Sequence, residues 1–168
     1  AAEVSPEHVH PEYPRPQMVR PDWKNLNGLW EYSITPKNES CPESFEGKIL
    51  VPFAVESSLS GVGRQFTSKD ALWYKTTFTV PSAWKNRRLM LNFEAVDWRT
   101  DVFVNDVQVG THTGGYTHFS FDVTPYLKKG TNTLVVKVQD STDDNFQPRG
   151  KQVMNPNGIW YTPVSGIW

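Results

Sequence analysis

Apolar and polar residues alternate with a period of two through much of this chain. In "LWYKTTFTV", Leu72, Tyr74, Phe78 and Val80 fall on one face and Lys75, Thr77 and Thr79 on the other. "RRLMLNFEAV" places Leu89, Leu91, Phe93 and Ala95 inside, with Asn92 and Glu94 outside. "TNTLVVKVQ" sets Leu134, Val136 and Val138 against Thr133 and Lys137, and Phe119, Phe121 and Val123 alternate with His118, Ser120 and Asp122. Successive side chains of a strand point to opposite faces, so the pattern predicts half-buried antiparallel strands. "GLWEYSI" and "GKILVPF" add two earlier ones.

The punctuation agrees with the periodicity. Pro81-Ser82 ends one strand, Asn105-Asp106 forms a two-residue hairpin loop between "TDVFV" and "VQVG", and Lys129-Gly130 closes the segment before Thr133. Helical pattern is limited to a turn or two, near Ser82–Trp84 and Thr124–Leu127. About eight short strands with regular turns predict an all-β protein, a jelly-roll β-sandwich. No internal repeat is visible.

Two segments depart from the alternation. Residues 1–27 contain Pro6, Pro11, Pro14, Pro16 and Pro21, which remove backbone donors and favour extended chain, so this is read as an arm ahead of a sandwich over 28–168. From Asp140 to Trp160 the chain reads "DSTDDNFQPRGKQVMNPNGIW". An unstructured excursion of about twenty residues is uncommon in a compact domain and tends to be functional.

At 168 residues the chain makes one domain with a tail and buries a full core. Its formal charge of −1 favours neither nucleic acid nor an anionic membrane surface as a partner. No apolar run is long enough to span a bilayer, and no signal-peptide pattern is present. The lone Cys41 excludes an internal disulfide framework and a cysteine-based zinc site. Asn38-Glu39-Ser40 matches a glycosylation triplet of a kind common by chance. His8 and His10 lack a nearby third ligand and read as solvated tail residues.

Seven Trp residues matter more, because aromatic faces stack on flat apolar ligand faces, sugars included, as well as filling a core. The excursion gathers Asp140, Asp143, Asp144, Asn145, Gln147, Arg149, Lys151, Gln152 and Asn155, followed by Trp160 and Tyr161. Carboxylates and amides accept from sugar hydroxyls, Arg and Lys donate, and an aromatic covers the C–H side of a ring. A solvated polar loop is the plain alternative. The three aspartates do not follow calcium-loop spacing, and no metal or cofactor is expected. Nothing resembles a nucleophile elbow or a phosphate loop. Glu31, Glu46, Glu56 and Glu94 lie in no distinctive context, so catalysis by this chain alone is not expected.

Several stretches taken in order resemble the N-terminal sugar-binding domain of glycoside hydrolase family 2, the family of β-galactosidases, β-glucuronidases and β-mannosidases. They are "LNGLWEYSI", "VPFAVESSLSGVG", "LWYKTTFTVPSAW", "RLMLNFEAVDWRTDVFVNDVQVGTHTGGYTHFSFDVTPYL", "GTNTLVVKV" and "GIWYTPVSGIW". The resemblance covers about residues 25–168. It implies a galactose-binding-domain-like jelly roll at the front of a retaining β-glycosidase, whose two catalytic glutamates sit on a downstream (β/α)8 barrel. It also implies that the long loop helps shape the sugar pocket and that the domain packs on the barrel. In the galactosidases of the family an aspartate precedes the Ser-Gly-Ile-aromatic signature. Here that offset falls at about Trp160, so galactose is not assumed.

The sugar-binding candidates are therefore Asp143, Asp144, Arg149, Lys151, Gln152, Trp160 and Tyr161. Gly114-Gly115 and Tyr116 are read as a sharp corner that docks on another domain, and the flanking His112 and His118 are read with them. Expected partners are a β-glycoside and the chain's own downstream barrel, with no nucleic acid or membrane. "QPRGKQ" resembles a subgroup feature of polysaccharide-degrading gut bacteria and implies an exported, periplasmic or secreted enzyme. Ending after "VSGIW" implies a fragment short of one closing strand, open to self-association. The alternatives are an autonomous carbohydrate-binding module or an interaction domain.

Overall fold

The computed structural model describes residues 4–168. Its strands are β1 (Gly28–Pro36), β2 (Gly47–Val51), β3 (Asp70–Thr79), β4 (Met90–Phe93), β5 (Val96–Asp97), β6 (Arg99–Val104), β7 (Val107–Thr113), β8 (Phe119–Asp122), β9 (Thr131–Gln139) and β10 (Gly166–Ile167). Six pair antiparallel in the order β2-β1-β3-β9-β6-β7. β4 pairs with β8, and β5 with β10, as two shorter antiparallel ladders. Short 3-10 turns at Ser82–Trp84 and Thr124–Tyr126 fall where the sequence allows a turn of helix.

One continuous core lies between the large sheet and the short ladders. Leu72 and Tyr74 of β3, Val102 and Val104 of β6, and Leu134, Val136 and Val138 of β9 meet Phe93, Val96, Phe119 and Ile167 from the ladders. Leu72, Tyr74, Phe93, Phe119, Leu134, Val136 and Val138 lie on the inward rows that the alternation predicts, whereas Val96 is buried out of phase with Phe93 and Ala95 where the β4 ladder gives way to β5. The architecture is an all-β jelly-roll sandwich. Each fully buried side chain of this size contributes about 1.5–3 kcal/mol of transfer free energy.

The strict inside–outside reading of β3 and β9 needs one correction. Ala71, Trp73 and Val135 are buried on the opposite face of the large sheet, with Phe45 and Phe103 against them. The connection between β1 and β2 folds over that face. Lys137 Nζ donates to the carbonyls of Lys37 (3.1 Å) and Glu39 (3.4 Å), and lies 4.8 Å from the Trp73 ring centroid. Lysine thus serves as cover, its ammonium over the aromatic face and bonded to carbonyls of the connection.

The arm has no strand among its described residues but does not float free. Val9 is buried, Asn25 and Asn27 side-chain amides donate to the His10 carbonyl, and Tyr13 meets Trp23 edge-on at 4.8 Å. The prolines keep the arm extended, and asparagine amides do the pinning that a ladder would otherwise do.

The hairpin turn forms as predicted. Asn105 and Asp106 both take left-handed backbone (φ 49° and 67°), which suits the twist of two-residue hairpins. Asn105 Nδ2 also donates to Asn132 Oδ1 and to the Tyr126 carbonyl, both at 2.8 Å. Asn132 is fully buried, and its amide is satisfied by the backbone of Lys128 and Gly130. This closes one end of the sandwich. The other end holds the excursion.

Candidate functional site

Two inward rows run past their last apolar residue into a carboxylate. Phe93 and Ala95 are followed in phase by Asp97, and Leu134, Val136 and Val138 by Asp140. Both aspartates are buried, 2% and 3% exposed, at the end of the core from which the chain departs on its irregular path. Residues 140–165 contain no helix or strand, only one parallel bridge between Gln152 and Tyr161.

Asp97 forms the floor. Gly115 lies directly on it, so that a Cβ there would overlap the carboxylate, and Gly114 just before takes φ 126°. The paired glycines do make a corner, and the surface that approaches them is this chain's own Asp97. Gln152 Nε2 donates to Asp97 Oδ2 (3.3 Å) and to the Tyr116 hydroxyl (3.0 Å), while Gln152 Oε1 accepts from the Val164 N–H. One amide therefore joins the floor, the Gly-Gly corner and both limbs of the excursion. Tyr116 then meets Trp168 edge-on at 6.2 Å.

Asp140 holds the excursion at its root. It accepts from the Thr142 N–H (2.8 Å), Gln147 Nε2 (2.6 Å) and Ser165 Oγ (2.7 Å). The Ser165 N–H donates to Glu56 Oε2 (2.9 Å), so the returning chain is clamped by two carboxylates. The Tyr74 hydroxyl accepts from the Ile167 N–H and fills the space beside Gly166, where no side chain fits. Asp97 Oδ1 and Glu56 Oε1 are buried without a hydrogen-bond partner among the described residues.

Burial dominates the electrostatics. Desolvation pushes the Asp97 carboxyl up to about 7, reinforced by the Asp140 and Glu56 charges and opposed by the Gln152 hydrogen bond. Glu56 is raised too, first by burial and against its hydrogen bonds to Ser165. The buried Tyr74 hydroxyl is raised for the same leading reason. Among the described residues no three acidic, His or Cys side chains converge as metal ligands do.

The sequence-predicted residues fall into distinct settings. Arg149 lies over the Trp160 ring, 5.8 Å from its centroid, with Nη1 4.0 Å from Asp143 Oδ2. Asp143 also accepts from the Met154 N–H at 3.3 Å. Lys151 is exposed, its carbonyl accepting from the Tyr161 N–H (2.9 Å), and the Tyr161 side chain is 65% exposed. Asp144 turns away and accepts from Ser68 Oγ, on the β2–β3 connection. Gln152 is engaged from beneath rather than pointing outward. His112 stacks on Phe119 at 4.1 Å, which makes it packing.

The fold and this loop end define a β-sandwich with one irregular rim that is aromatic and basic. Residues 62–167 match the model for glycosyl hydrolases family 2, sugar binding domain, and the chain belongs to that family. It is 37% identical over 138 residues to a β-galactosidase of Thermoanaerobacter pseudethanolicus, covering 79% of this chain and 19% of that protein. A β-glucuronidase of Paenibacillus borealis is 29% identical over 146 residues, covering 83% of this chain and 24% of the relative. The solved β-glucuronidase of Lactobacillus rhamnosus superposes with a TM-score of 0.60 at 30% identity, over 70% of this chain and 21% of that one. The chain thus spans a quarter or less of each of these relatives.

Proposed function

We propose that this domain forms one wall of the sugar pocket of a longer family 2 β-glycosidase, with the catalytic carboxylates supplied elsewhere in that protein. The observation that carries this reading is the two-sided character of the excursion. Gln152 and Asp140 anchor it from beneath, while Arg149, Lys151, Trp160 and Tyr161 lie on its open side. The exposed surfaces of Trp160 and Tyr161 suit a sugar ring, and two cations suit a ligand that carries a carboxylate. A β-glucuronide therefore fits this wall better than a neutral β-galactoside.

The chain's own buried acids are supports rather than reagents. Asp97 and Asp140 lie under the loop, and neither is open to substrate as a nucleophile must be. Tyr116, Phe146, Ile159, Val164 and Trp168 are exposed at the same end, Phe146 completely. An apolar rim of this kind suits cover by another part of the same protein, and the catalytic barrel is the proposed occupant.

Kinetics of the longer enzyme test the reading. The double variant Arg149→Ala/Lys151→Ala is expected to raise KM for a nitrophenyl β-glucuronide about tenfold, with kcat within about threefold. The effect on the matching galactoside is expected to be smaller, and the 168-residue chain alone is expected to turn over neither. Hydrolysis by the chain alone, or an unchanged glucuronide KM in the variant, would refute it.

A further inference from the structure

The end of the sandwich opposite the excursion carries a different surface. Thr79 of β3 pairs with Thr131 of β9 there, and the 9 residues of β9 place it roughly 25 Å from the excursion's root. The connections 80–89 and 122–128 border an open groove of about 720 Å³, continued by a smaller one of about 340 Å³ beside Arg20 and Asp22. Lys85, Arg87, Arg88 and Lys128 line the first and Arg20 the second, against the two carboxylates Asp22 and Asp122. Five cations facing two acids, on a chain of formal charge −1, concentrate positive potential at this end.

The groove is also organised. Arg88 Nε lies 2.7 Å from Asp122 Oδ2, and Arg87 Nη2 lies 3.7 Å from Asp22 Oδ2. Each pair uses part of a five-donor fork and leaves other N–H groups for an incoming anion. Trp84 lines both grooves, half-buried, with its indole Nε1 donating to Asp22 Oδ1 at 3.3 Å. The 80–89 connection is stitched to its neighbour by Leu89 N–H to Thr124 Oγ1 (2.8 Å) and Val123 N–H to the Leu89 carbonyl (3.0 Å).

We propose that this groove is a second carbohydrate site, which takes a carboxylate- or sulfate-bearing stretch of polysaccharide. Arg and Lys meet the anionic groups, and the Trp84 face meets the apolar side of a sugar ring. The site holds a polymer chain at one end of the domain while the excursion meets a sugar at the other. A nucleic acid is the less fitting polyanion, since the chain as a whole is not basic and one half-buried indole gives no run of stacking platforms.

Affinity electrophoresis of the 168-residue chain tests it, through gels containing polygalacturonate, dextran sulfate or neutral dextran. Retardation is expected with one or both charged polymers and not with dextran, and it is expected to vanish in about 500 mM salt, where screening is short-ranged. Polygalacturonate alone identifies the carboxylate as the group read, and dextran sulfate alone the sulfate. The variant Lys85→Ala/Arg87→Ala/Arg88→Ala is expected to bind about tenfold more weakly, with an unchanged circular dichroism spectrum. Trp84→Phe is expected to retain binding and Trp84→Ala to reduce it. Lys48→Ala, on β2 and outside both the groove and the excursion, is expected to leave retardation as it was. No retardation by either charged polymer, or retardation untouched by the triple variant, overturns the proposal. Equal or tighter retention by a single-stranded oligonucleotide overturns it in favour of a general polyanion site.

Discussion

Asp97 places a carboxyl group where the inward row of the β4–β5 segment runs out, under a glycine and against a glutamine amide. Its proton balance follows from that burial. The folded-state value near 7 lies above the unfolded one, so the stabilising contribution is complete below about pH 4 and is lost as pH rises toward 7. Glu56 shifts in the same direction and adds the same sign. Urea melts are therefore expected to show a more stable chain at pH 5 than at pH 8, by about 1–3 kcal/mol. Asp97→Asn is expected to flatten much of that slope, and an unaltered slope in the variant would remove Asp97 as its cause. Gly115→Ala forces a methyl group into the carboxylate and is expected to destabilise by about 1–3 kcal/mol in thermal melts. Wild-type stability in that variant would show the corner to be looser than described. Asp97 and Asp140 were legible in principle, because each continues the two-residue phase of an apolar row. Hydrophobic patterning alone reads such a residue as the end of a strand, and only the packing reveals a carboxylate facing inward.

Among the elements, eight strands and the Asn105-Asp106 turn were readable because period and turn chemistry are local properties, whereas the two-residue β5 and β10 are too short to show a period. The cover over Trp73 was not, since it depends on where the β1–β2 connection lands. The excursion could be recognised by its lack of pattern, yet its inner and outer residues could not be told apart. Gln152 and Lys151 are neighbours with opposite roles, one clamped beneath and one exposed. Gln152→Ala removes the donor to Asp97 and Tyr116 and the acceptor for the Val164 N–H. Hydrogen exchange is expected to speed up across residues 150–164 by about tenfold, with β3 and β9 unaffected. Unchanged exchange in that segment would mean that Asp140 and Ser165 suffice to hold it.

For the whole molecule, one sandwich presents two chemically different ends. One is an aromatic and basic rim on a buried acidic floor, and the other is a cationic groove around Trp84. The family is shared with enzymes named for glucuronides and for galactosides. On the proposed reading the wall's own residues decide which sugar it suits, and Arg149 with Lys151 is proposed to favour the charged one. Protein-observed NMR with D-glucuronate tests this most directly, because the Trp indole N–H signals report separately from the rim and the core. At about 10–50 mM ligand, the Trp160 and Trp168 indoles and the backbone of Arg149 and Lys151 are expected to shift, while buried Trp30 and Trp73 stay put. Signals of residues 143–161 that remain still, with any response confined to another part of the chain, would contradict the assignment of the excursion as the sugar-facing wall.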